Sequence, residues 1–78
     1  MPLSIAERKH RMPYGAQVAV ATELEVAESY VSAVMNGEVR PKTDVTREKL
    51  SRVQIALAHK LELPVEEAFP EHEHVAAA

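Results

Sequence analysis

Leu50, Val53, Leu57 and Leu61 recur at intervals of three and four residues, the spacing that stacks side chains on one face of an α-helix. A helix with such a face must bury it, and a chain of 78 residues has only short segments left to cover it. Pro13, Gly15, Gly37, Pro41, Pro64 and Pro70 cut the remainder into those segments, because proline ends helices and glycine tolerates the left-handed turns between them. Alanine and valine are plentiful and glycine is scarce, which favours closely packed helices over a sandwich or barrel. The expected class is all-α, a compact bundle of four to five helices.

The pieces read in order. Residues 4–12 form a first helix, opened by Ser4 and Glu7 at capping-box spacing and closed ahead of Pro13. Ile5 and Met12 are its expected core residues. Residues 16–24 form a second helix with Val20, Ala21 and Leu24 inward, and Val18 covering the first helix. A third runs over about 27–36, with Val31 and Val34 inward and Gly37 ending it. Thr43 or Asp44 caps a fourth over about 44–61. Pro64 opens a last short turn over 64–69. Residues 1–69 thus make one domain, and 70–78, with no buried pattern, a disordered tail.

The net charge is −3, which at first sight opposes binding to an acidic polymer. Its distribution matters more. Residues 1–49 hold seven Lys/Arg and seven Asp/Glu, whereas residues 50–78 hold two and five; the whole excess is C-terminal. Arg8-Lys9-His10-Arg11 concentrates positive charge, either as a nucleic-acid arm or as a solvated helix face. The aromatics are only Tyr14, Tyr30 and Phe69, too few for the stacking platforms of a single-strand binder. Cysteine is absent, which removes disulfides and thiolate metal sites and fits a cytoplasmic setting. No apolar run approaches the ~20 residues of a membrane span.

The segment from Gln17 to Gly37 is the most informative. It reads as two short helices meeting at a tight turn, with Ala21 small enough for close approach and Val26 filling the space beneath. Gln17, Ala21, Leu24-x-Val26, Ser29-x-Val31-Ser32-x-Val34 and Asn36-Gly37, followed by Leu61-x-Leu63-Pro64-x-Glu66-Glu67-Ala68-Phe69, resemble the lambda-repressor/Cro-type (XRE-like) helix-turn-helix family over roughly residues 4 to 69. The chain departs from that pattern at Glu25 where glycine is usual, at Ala27 where a Ser/Thr cap is usual, and at Met35 for a common glutamate, and in a longer loop from Gly37 to the fourth helix and a shorter first helix.

The resemblance implies a lambda-repressor-like bundle that binds double-stranded DNA. By position, Glu28, Ser29, Ser32 and Ala33 would read base edges, and Gln17 and Asn36 would contact the DNA backbone. Arg40 and Lys42 in the following loop, and the Tyr30 hydroxyl, can also reach phosphates. Glu28 either accepts from a cytosine amino group, excludes wrong sequences, or faces solvent. The implied protein is a small transcriptional regulator, repressor-like, acting as a homodimer whose surface involves the C-terminal helices and Phe69.

An alternative is a protein-interaction module or antitoxin-like subunit whose acidic part, residues 62–74, takes a protein partner while DNA binding is weak. No nucleophile–base pair, glycine-rich phosphate loop or paired-carboxylate motif is readable. The chain is therefore expected to be no enzyme and to need no cofactor. His72-x-His74 lacks a fixed fourth ligand, so no metal is expected.

Overall fold

A helix starts where its first N–H groups find an acceptor and stops where the backbone can leave the helical region. The computed structural model describes residues 3–72, and five helices follow from these rules. Helix α1 spans Ile5–Arg11. The Glu7 backbone N–H donates to Ser4 Oγ at 3.1 Å while the Glu7 carboxylate accepts from the Ser4 N–H. Ahead of Pro13, Met12 turns extended and ends the helix.

Helices α2 (Ala16–Leu24) and α3 (Glu28–Met35) are joined by three residues. The Val26 N–H donates to the Ala21 carbonyl and the Glu25 N–H to that of Thr22, the paired bonds of a Schellman motif. That motif needs a left-handed residue, and Glu25, standing where the resembled pattern has glycine, takes it at φ 55°. Helix α3 closes the same way, with Gly37 at φ 68° and bonds from Gly37 to Val34 and from Glu38 to Ala33.

Thr43 caps α4 (Asp44–Leu61) in a box with Thr46. Its far end is a third Schellman motif, with Glu62 left-handed at φ 58°. Helix α5 is one turn, Val65–Ala68, after Pro64.

The core gathers Val20 and Ala21 of α2, Val31, Val34 and Met35 of α3, Val53, Leu57 and Ala58 of α4, and Ala68 and Phe69. Leu24, Val26, Leu50 and Leu61 pack half-buried around it. Met35, where the family pattern has a glutamate, is part of this core.

Four expectations need correction. Ile5 is 45% exposed, and α1 is instead anchored by Arg8, which is 1% exposed. The stripe that faces inward therefore passes through a guanidinium, so Arg8 is lost to the proposed basic cluster. Val18 is exposed rather than covering α1. Phe69 is fully buried, with the Arg8 guanidinium carbon 4.3 Å from its ring centre, so it offers nothing to a second subunit. The tail was expected to begin at residue 70, but Glu71 pairs with Arg8 and His72 with Ser51. Residues 70–72 belong to the folded body because these polar contacts hold them; 73–78, including His74, lie outside the described residues. Among the described residues no helix is long and apolar enough to cross a membrane.

Candidate nucleic-acid interface

Helix α3 packs through Val31, Val34 and Met35. At 3.6 residues per turn, Glu28, Ser29, Ser32, Ala33 and Asn36 fall within roughly 140° of one another on its other side. Glu28, Ser29 and Ser32 are exposed, and Ala33 and Asn36 half-buried. The five are therefore brought together as one outward face carrying a carboxylate, two hydroxyls, a methyl and an amide. Such a face can exchange hydrogen bonds with an array of donors and acceptors and touch an apolar group between them. Glu28 sits in the first turn, where the helix dipole favours negative charge.

The ends of the helices differ in a way that bears on ligands. Side chains cap α1 and α4. Neither α2 nor α3 has a side-chain cap, since Gly15 and Ala27 occupy the two cap positions. The Ala16 N–H already donates to the Pro13 carbonyl and the Tyr30 N–H to that of Ala27, which leaves the N–H groups of Gln17 and Val18, and of Glu28 and Ser29, to an outside acceptor. Gln17, half-buried in the first turn of α2, sits beside one such end.

Beyond α3 the chain carries cations. Arg40 is exposed and folds back, its Nη1 donating to the Gly37 carbonyl at 2.8 Å. That bond uses one of five guanidinium N–H groups and holds Arg40 against the end of α3. Lys42 is exposed, and its backbone N–H is fixed by Thr46 Oγ1, which ties the loop to the start of α4.

Tyr30 stands apart from the outward face. Its ring is half-buried against the core, with Lys49 Nζ 4.4 Å from the ring centre. Burial pushes its hydroxyl pKa above the ordinary tyrosine value, so the hydroxyl keeps its proton and can donate. Sequence reasoning overlooked Lys49, whose only signal is its position on α4. His72 Nε2 lies 2.9 Å from Ser51 Oγ, and among the described residues no group of His, Asp and Glu is arranged to hold a metal.

No family model, no curated protein and no solved structure matches the chain.

Proposed function

We propose that the protein binds double-stranded DNA with sequence preference, α2 and α3 acting as a helix-turn-helix of the lambda-repressor/Cro type. The observation that carries the reading is the outward face of α3, with Glu28, Ser29 and Ser32 exposed and Ala33 half-buried on a helix whose opposite side is in the core. A helix of this width fits the major groove, where hydroxyls can bond base edges, a carboxylate can accept from cytosine, and a methyl can touch thymine. The uncapped starts of α2 and α3, with Gln17 beside the first, suit phosphate oxygens. Arg40, Lys42, Asn36 and the Tyr30 hydroxyl supply further backbone contacts. In this reading the protein is a small cytoplasmic transcriptional regulator, repressor-like, working as a homodimer and needing no catalysis, cofactor or metal.

Binding is expected to be modest on arbitrary DNA and its salt dependence correspondingly shallow, since few cations neutralise phosphates. Selection of bound duplexes from a random pool tests the reading. The expected outcome is an enriched motif, doubled with half-sites about one helical turn apart. Equal, weak retention of every sequence would overturn it.

A further inference from the structure

The outer side of α4 carries a second ordered pattern, unrelated to the α3 face. Val45, Glu48, Arg52 and Ile55 are spaced by three, four and three residues, the repeat that holds one stripe against a partner helix. Val45 is 78% and Ile55 45% exposed, on a helix whose inner side already buries Val53, Leu57 and Ala58. Glu48 and Arg52 are exposed and pair with each other at 2.8 Å. The stripe forms one wall of an open groove of about 330 Å³, in which Glu48, Lys49 and Arg52 stand beside Val45 and Val53, facing Glu25 between Leu24 and Val26 of the α2–α3 turn.

The stripe is its own complement when reversed. Laid antiparallel on a second copy about a two-fold axis at the level of Leu50, Val45 meets Ile55 and Glu48 meets Arg52, each contact occurring twice. Such matching of a surface with itself is what a two-fold dimer requires. A parallel pairing sets Glu48 on Glu48 and Arg52 on Arg52. An antiparallel pairing shifted to centre on Arg52 opposes two guanidiniums. Charge therefore selects one register, and in that register Ile55 of the second copy meets Val45, which is part of the groove wall.

We propose that the chain self-associates through this face of α4, as an antiparallel two-fold pair with alternating apolar and ionic layers. The four charges then form a ring of opposite signs in place of two isolated exposed pairs, which contribute little by themselves. The proposal concerns the partner surface alone and stands whether or not α3 binds DNA.

Sedimentation of the full chain without DNA tests it. Wild type is expected to shift from monomer to dimer as concentration rises towards about 1 mM, the weak end of measurable association. Arg52→Glu makes the stripe all acidic and Glu48→Arg all basic; each alone is expected to weaken dimerisation by at least about tenfold, a difference of about 1.4 kcal/mol. An equimolar mixture of the two variants restores every Glu–Arg layer, so a heterodimer is expected where neither variant pairs with itself. Circular dichroism on each variant establishes that the helices persist. A wild type that stays monomeric throughout overturns the proposal. So does a dimer indifferent to Arg52→Glu and Ile55→Asp, which would use another face, and so does a mixture that fails to pair.

Discussion

Arg8 Nη2 stands 2.8 Å from Glu71 Oε2, across sixty-three residues of sequence. The second carboxylate oxygen accepts from Nη1 at 3.1 Å, which makes the pair bidentate. The same guanidinium donates to the carbonyls of Val34 and Met35 at the end of α3 and of Ala68 at the end of α5. One cation thus satisfies two helix C-termini, where positive charge is favoured, and ties α1, α3 and the C-terminal residues into one body. Arg8→Met fills similar volume but leaves those carbonyls and Glu71 without their donor. It is expected to cost about 1–3 kcal/mol, the penalty for leaving buried carbonyls without a donor, because Glu71 is 38% exposed and its charge returns to solvent. Urea unfolding measures it; a loss below about 1 kcal/mol would show that the network contributes little.

The pair also predicts a pH dependence. Burial pushes the Glu71 carboxyl up, but the Arg8 hydrogen bond, its own backbone N–H and the charges of Arg8 and Arg40 outweigh burial and hold the pKa below the ordinary 4.5. A carboxyl depressed in the folded state adds stability that is fully present above its unfolded value and is lost as pH falls through the folded one. Wild type should therefore be pH-insensitive in this respect from neutrality down to about 4.5, then lose stability on further acidification. Glu71→Gln should lower the melting temperature at pH 7 and narrow its distance from wild type below that point. Parallel melting curves for the two proteins at all pH values would refute the assignment.

Parts of this architecture were legible in the sequence, and the reason lies in which forces are local. The α4 repeat, the Ser4–Glu7 box, the left-handed turn at Glu25 and the stop at Gly37 depend on neighbours within a few residues. The outward face of α3 was legible for the same reason, because Val31 and Val34 define its back. Arg8 was not, since a charged side chain reads as surface until its partners on α3, on α5 and at Glu71 are known. Phe69 near a chain end reads as a contact surface, yet Arg8 and the core enclose it. The end of α4 reads as a break at Leu63-Pro64, whereas the residue that stops it is Glu62, left-handed in a Schellman turn like that of Glu25.

Those two turns give a paired prediction. Glu25 and Glu62 occupy φ near 55–58°, a region that costs an L-residue about 1–2 kcal/mol and glycine almost nothing. Glycine loses more freedom on folding, about 0.5–1 kcal/mol relative to alanine, so the net gain is smaller than the strain. Glu25→Gly and Glu62→Gly should each raise stability by about 0.5–1 kcal/mol, a few degrees in melting temperature for a domain this small. A fall for either would mean that its carboxylate makes a contact worth more than the strain.

Ala27 offers a third adjustment. It holds the extended cap conformation of α3 at φ −68°, ψ 143° but has no side chain to accept the N–H groups it faces. Ala27→Ser should add about 1 kcal/mol without moving the backbone. Thermal unfolding measures the gain, and amide exchange of the first turn of α3 should slow with it. Unchanged exchange there would place the gain elsewhere.

The reading of α3 as a DNA-contacting helix separates residues that specify from residues that attract. Arg40→Ala and Lys42→Ala each remove one cation near the end of α3. If both meet phosphates, each should weaken binding to every duplex about equally and reduce the slope of log affinity against log salt by roughly 0.9. Ser29→Ala and Ser32→Ala remove only hydroxyls from the outward face. They should leave that slope alone and relax base preference at one or two positions, by about 1–3 kcal/mol if the lost contact is a base contact. Glu28→Gln should raise affinity for all duplexes by lifting repulsion from phosphates, and alter preference wherever the carboxylate had accepted from cytosine. Affinity titrations of the five variants over a range of salt, on the selected site and on an unrelated duplex, separate the two groups. If the serine variants changed the salt slope while the Arg40 and Lys42 variants did not, the orientation assigned to α3 would be wrong.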